Sequence, residues 1–128
     1  MIAIDTNVLV RIFIDDLNQT QVNKSRELVQ KAKHVHITQI VLIELIWVLS
    51  RAYQLEKSKI ISILQEIYEN AAFVVEQKEQ LLEALTLYKN HSVDFSDCMI
   101  LAATKKANVD HVYTFDAKFA RLPGVKKL

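Results

Sequence analysis

Short apolar runs alternate with segments of helical period from one end of the chain to the other, and this alternation constrains the fold more than any other feature. Strands are expected at residues 1–4, 35–38, 72–75 and 111–114, with a last edge strand at 125–127. Between them lie helices expected at 8–13, 17–33, 40–52, 57–70, 78–89 and 94–107, and a final helical turn at 117–120. Parallel neighbours need crossover connections, and helices are the usual crossovers. The order therefore predicts an α/β chain, a three-layer α/β/α sandwich around a central parallel sheet of four to five short strands. No linker, repeat or low-complexity tract interrupts the 128 residues, so a single domain is expected.

Local chemistry supports these boundaries. Asp5-Thr6-Asn7 breaks the first strand and offers side chains that can cap the helix after it. The helix over 17–33 is polar, with Val22, Leu28, Val29 and Ala32 as its expected inward side. Thr38 is placed to cap the apolar helix over 40–52, which pairs with an amphipathic helix carrying Ile60, Ile61, Leu64 and Ile67.

Composition excludes several functions. The only glycine, Gly124, and the only proline, Pro123, stand together near the C-terminus. A P-loop, a dinucleotide fingerprint and a serine nucleophile elbow all need glycines at a strand-to-helix turn, so none can be built. One cysteine, Cys98, allows neither an internal disulfide nor a multi-cysteine zinc site, and His34, His36, His91 and His111 lack metalloprotease spacing. The stretch from 40 to 49 is too short to span a bilayer, and no basic leader precedes the first strand, so a cytoplasmic protein with no membrane attachment is expected. A net charge of +1 provides no global field for a polyanion, so nucleic acid would have to be held by a local patch or a bridging metal.

The chemistry that remains is acidic. In open parallel sheets, ligands collect beyond the C-terminal ends of the strands. Asp5 follows the first predicted strand and Asp116 the fourth. Nine of the ten residues from Ile40 to Leu49 are apolar, and the tenth is Glu44. A carboxylate in apolar surroundings is costly unless it is paired, metal-bound or at a rim reaching water. In Asp94-Phe95-Ser96-Asp97, Asp94 reads as a helix cap, while Asp97 shares a face with Ile100 and Leu101 and reads as an inward ligand. Asp5 and Asp116 have the competing role of turn and cap formers. Four carboxylates converging without basic partners would repel one another, which implies a divalent cation, and oxygen-only ligands suit Mg²⁺ or Mn²⁺.

Taken in order, D-T-N at 5–7, a glutamate inside an apolar helix at 44, D-F-S-D-C-M-I-L-A-A-T at 94–104 and T-F-D at 114–116 followed by R-L-P-G-V resemble a PIN domain of the VapC-like type. That family comprises toxic ribonucleases of bacterial toxin–antitoxin pairs, and the likeness covers nearly the whole chain. It implies an endoribonuclease in which Asp5, Glu44 and Asp97 form the metal-binding core and Asp116, at the family's least constant position, completes it. The implied metal activates water for attack on an RNA phosphodiester.

Thr6, Asn7 and Thr114 adjoin the acids in sequence and are suited to orienting carboxylates or water, with capping as their competing role. Arg11, Lys118 and Arg121 are candidates for contacts to RNA phosphates. Trp47, with Ile43, Ile46 and Val48, leaves the third helix apolar nearly all round, so another chain is expected there unless the helix over 57–70 covers it. The resemblance implies two such partners, a second copy of the chain and a protein antitoxin that inserts a basic side chain among the acids. Two other readings remain: a catalytically silent PIN-like module that binds RNA or protein, and a phosphatase or DNA nuclease using the same acids.

Overall fold

A computed structural model describes all 128 residues, which fall into two compact units, residues 1–78 and 79–128. The first unit begins with β1 (Ile2–Ala3), α1 (Thr6–Phe13) and α2 (Gln19–Lys31), then β2 (Val35–Ile37), α3 (Gln39–Arg51), α4 (Lys57–Glu69) and β3 (Phe73–Val75). Its three strands form one parallel sheet in the order β1-β2-β3, with Ile2 beside Val35 and Val35 beside Phe73. Each strand reaches its neighbour through a pair of helices, as parallel pairing requires. α1 packs on α2 and α3, and α4 on α3 and β3. The core of this unit is aliphatic, with Leu9, Leu42, Leu45, Leu49, Leu64 and Ile67 fully enclosed. Burying each such side chain contributes roughly 1.5–3 kcal/mol.

The second unit holds most of α5 (Lys78–Asn90), α6 (Phe95–Lys105), β4 (Val112–Thr114), a 3₁₀ turn (Phe119–Arg121) and β5 (Val125–Lys127). β4 and β5 pair in parallel, Val112 beside Val125. Leu81, Leu85, Cys98, Leu101 and Phe119 are buried here, and Tyr88 meets Phe95 edge to face at 5.7 Å. Gly124 turns the chain into β5 at φ +87, a conformation open to glycine at little cost, and its carbonyl accepts from the Val112 N–H.

All five expected strands are present and every pairing is parallel, as the α/β reading requires, with hydrogen bonds joining them as a sheet of three and a sheet of two. α1 starts at Thr6, earlier than expected, because Asp5 itself supplies the cap. The inward side of α2 is Val22 and Ser25, whereas Leu28 is 44% exposed, since α2 packs on α1 along a narrow stripe. On α4, Ile63 is buried and Ile61 only half-buried. Thr38 caps α3 as expected, its Oγ1 accepting from the Val41 N–H at 3.3 Å. No helix is long and apolar enough to cross a membrane.

Candidate active site

In the first unit, Asp5 follows β1 with extended backbone and caps α1, its Oδ1 accepting from the Val8 N–H at 3.1 Å. That bond satisfies one of the helix's unpaired donors, and the carboxylate stays exposed to solvent. Thr6 is buried at the first position of α1, and Asn7 is exposed. Arg11, expected to meet RNA, has its guanidinium largely engaged: Nη1 donates to the Asn7 carbonyl at 3.0 Å and Nη2 lies 3.5 Å from the Asp16 carboxylate. Asp16 also accepts from the Tyr53 hydroxyl at 2.8 Å and from the Asn18 N–H. The Asn18 and Tyr53 hydrogen bonds and the nearby Arg11 charge hold its carboxyl below the usual range.

Glu44 is exposed, because α3 turns Leu42, Leu45, Ile46 and Leu49 into the core and leaves the opposite face outside. Its surroundings are nonetheless apolar. Ile40, Ile43, Trp47 and Val48 line a groove of about 630 Å³ with it, and Ile40 and Trp47 are 75% and 57% exposed. Glu44 thus reaches water from the rim of α3, and α4 does not cover the Trp47 face. Asp5 and Glu44 open on different clefts.

In the second unit, Asp97 sits half-buried in the first turn of α6. Burial pushes its carboxyl above the usual range, and the charges of Asp94 and Asp116 push it the same way. These three acids therefore share one electrostatic neighbourhood. Asp94 occupies the cap position of α6, but its side chain accepts no capping hydrogen bond, which corrects its reading as a simple cap. Sequence reasoning missed it as a member of the cluster, although the three-residue spacing to Asp97 puts the two on one helical face. The expected inward partner Ile100 is 47% exposed, whereas Leu101 is buried.

Asp116 Oδ1 accepts from the N–H groups of Lys118 and Phe119 at 2.8 and 3.3 Å, and its own N–H donates to Thr114 Oγ1 at 3.0 Å. Thr114 thus fixes the backbone that carries the acid. Lys118 and Arg121 line a cavity of about 340 Å³ together with Asn90 and His91.

The ion pairs of the chain lie elsewhere, at Arg11–Asp16, Arg26–Asp15, His36–Glu76, Lys105–Glu83 and Lys106–Glu79. None of them neutralises Asp5, Glu44, Asp94, Asp97 or Asp116. As the side chains stand, no three carboxylate, histidine or cysteine groups are close enough to hold a metal ion. In donor chemistry the acids do fit a hard divalent cation, being all oxygen, and Asp97 is a carboxylate whose charge lacks compensation.

Comparison with known proteins supplies the context. Residues 2–125 match the PIN domain family. A VapC ribonuclease of Aquifex aeolicus is 28% identical over 124 residues, covering 95% of this chain and 92% of the relative.

Proposed function

The chain belongs to the PIN domain family, and from that premise we propose that it is a divalent-metal-dependent endoribonuclease, the toxin of a toxin–antitoxin pair. The observation that carries this reading is Asp97, kept half-buried beside Asp94 and Asp116 where its negative charge is disfavoured and no base offsets it. Carboxylates with disfavoured charge cluster at functional sites. The ribonuclease activity named for the Aquifex relative supports the same conclusion.

In this reading the whole chain is one nuclease domain to which both compact units contribute acids. Asp5, Glu44 and Asp97 would hold Mg²⁺ or Mn²⁺, with Asp116 completing the set. When bound, such an ion lowers the pKa of water and offsets the charge that develops on phosphorus. The protein's own groups prepare the site. The Val8 N–H holds one oxygen of Asp5 and leaves the other as donor, and the Lys118 and Phe119 N–H groups do the same for Asp116. Thr6 and Asn7, which begin α1 directly after Asp5, would orient its carboxylate or a water, and Thr114 Oγ1 accepts from the Asp116 N–H and fixes the turn that carries that acid. Lys118 and Arg121 contact backbone phosphates, which positions RNA without reading its bases.

The toxin reading brings two protein partners. The apolar groove around Glu44 suits an antitoxin segment whose basic side chain would neutralise the acids, and a second copy of the chain gives a homodimer. A cytoplasmic location agrees with a sequence whose one cysteine, Cys98, allows no internal disulfide.

The second reading, a PIN-like module that binds without cutting, draws on the lack of a ready three-ligand group. Incubating purified protein with structured RNA, single-stranded DNA and a phosphomonoester, each with Mg²⁺ or Mn²⁺ and then with chelator, separates the alternatives. Metal-dependent cutting of RNA alone is expected. Turnover of the phosphomonoester or DNA in preference to RNA, or RNA bound but uncut, would displace the ribonuclease reading.

A further inference from the structure

A second feature of the first unit bears on how substrate is held. Where α1 and α2 pack, a cleft of about 540 Å³ opens, lined by Asp5, Asn7 and Arg11 on one side and Gln21, Lys24 and Ser25 of α2 on the other. That volume lies within the ~300–1,000 Å³ typical of sites for small organic groups, and it suffices for a nucleotide.

The cleft is rich in unused donors. Ser25 is mostly buried, but its hydroxyl still reaches solvent and makes no hydrogen bond within the protein. The Nε–H of Arg11 is buried without an acceptor, while the rest of that guanidinium is bound to Asn7 and Asp16. Lys24 is exposed and enters no ion pair. Buried donors are nearly always paired in folded proteins, so the unpaired Arg11 Nε–H, beside Ser25 and Lys24 in the lining of one cleft, points to an absent acceptor. An ammonium beside them favours an anion. The single acid in the lining, Asp5, already gives one oxygen to the Val8 N–H.

We propose that this cleft holds the RNA strand next to the scissile phosphate, with Lys24 and Ser25 binding a backbone phosphate and the amides of Asn7 and Gln21 facing the adjoining sugar or base. The inference rests on the nuclease reading, since it uses Asp5 to set the distance between this phosphate and the one that is cut. A protein partner fits less well, because a segment that brings basic side chains to the acids would meet Lys24 as a like charge.

The test compares wild type with Lys24→Gln, Ser25→Ala and a control, Lys31→Gln, at the far end of α2 and outside the cleft. Affinity for a short labelled single-stranded RNA is measured in chelator over a salt series, and cleavage is followed in Mg²⁺. Lys24→Gln is expected to weaken binding about fivefold and to lower the slope of log affinity against log salt by about one. KM should rise with kcat held within about twofold, because a contact made equally in ground and transition states is lost. Ser25→Ala should weaken binding about threefold without altering the salt slope, and Lys31→Gln should match wild type.

If wild type cuts RNA while Lys24→Gln keeps its affinity, salt slope and KM, the inference is overturned and the nuclease reading stands. If wild type neither binds nor cuts RNA, both fall. If Lys24→Gln loses binding to a polyglutamate peptide but not to RNA, the cleft is a protein-docking surface, and the inference again fails.

Discussion

Asp5 and Asp97 both stand where helices begin, yet their surroundings treat the charge in opposite ways. Asp5 is exposed, and its carboxylate is used as a cap for α1. Asp97 lies in the first turn of α6, half-buried, with Asp94 and Asp116 opposing its ionisation. The helix dipole favours negative charge at both places, but burial and like charge override it at Asp97. One acid stabilises the fold through its cap hydrogen bond and the charge of the other is tolerated, so a cation should matter most at Asp97.

The largest expected effect short of losing a core ligand is at Asp116. Asp116→Asn keeps the acceptor for Lys118 and Phe119 and removes only the charge, so RNA cleavage should drop about ten- to a hundredfold with folding intact. An unchanged cleavage rate would confine the function of Asp116 to its turn.

Stability should then separate the two helix starts by sign. Asp5→Ala removes the cap of α1 and should cost about 1 kcal/mol in denaturant unfolding. Asp97→Asn removes a disfavoured charge and should raise the melting temperature in chelator. If Asp97→Asn melts lower than wild type, the contrast drawn between the two acids is wrong. Tyr53→Phe provides the comparison for an ordinary paired carboxylate: losing the bond to Asp16 should lower the denaturant midpoint slightly, with cleavage unaffected.

The smallest expected effect is on pH dependence. The pKa of Asp97 is raised on folding, so its contribution to stability is present below the unfolded value and lost as pH rises through the folded one. Asp16 is lowered, so its contribution is present above the unfolded value and lost as pH falls through the folded one. Thermal melts between about pH 4 and 7 should show the advantage of Asp97→Asn over wild type growing as pH rises. An advantage that shrinks with rising pH would reverse the assignment.

Much of this organisation is legible in the sequence because it depends on local chemistry. Apolar runs marked the first four strands, the Pro123-Gly124 turn pointed to β5, and Thr38 announced the start of α3. Asp5 lay after β1 and Asp97 in the first turn of α6, as read. Contacts made between elements were not legible. Nothing in a polar helix says that Ser25 will be buried and Leu28 left out, since that depends on which stripe of α2 meets α1. Glu44 was read within an apolar run, but the exposure of α3 is set by which of its apolar faces is covered. The division of the strands into two sheets is likewise a matter of hydrogen bonding between distant segments.

The most direct test of the metal-dependent nuclease is cleavage of a mixed RNA pool by wild type, Asp5→Asn and Asp97→Asn, in Mg²⁺ or Mn²⁺ and then in chelator. Each substitution keeps side-chain shape and removes charge, and Asn at position 5 can still cap α1. The account predicts cutting by wild type that chelator stops, with both variants folded and at least about a hundredfold slower, the scale of losing a charged transition-state contact. Variants that cut as fast as wild type, or wild type that cuts equally well in chelator, would contradict it.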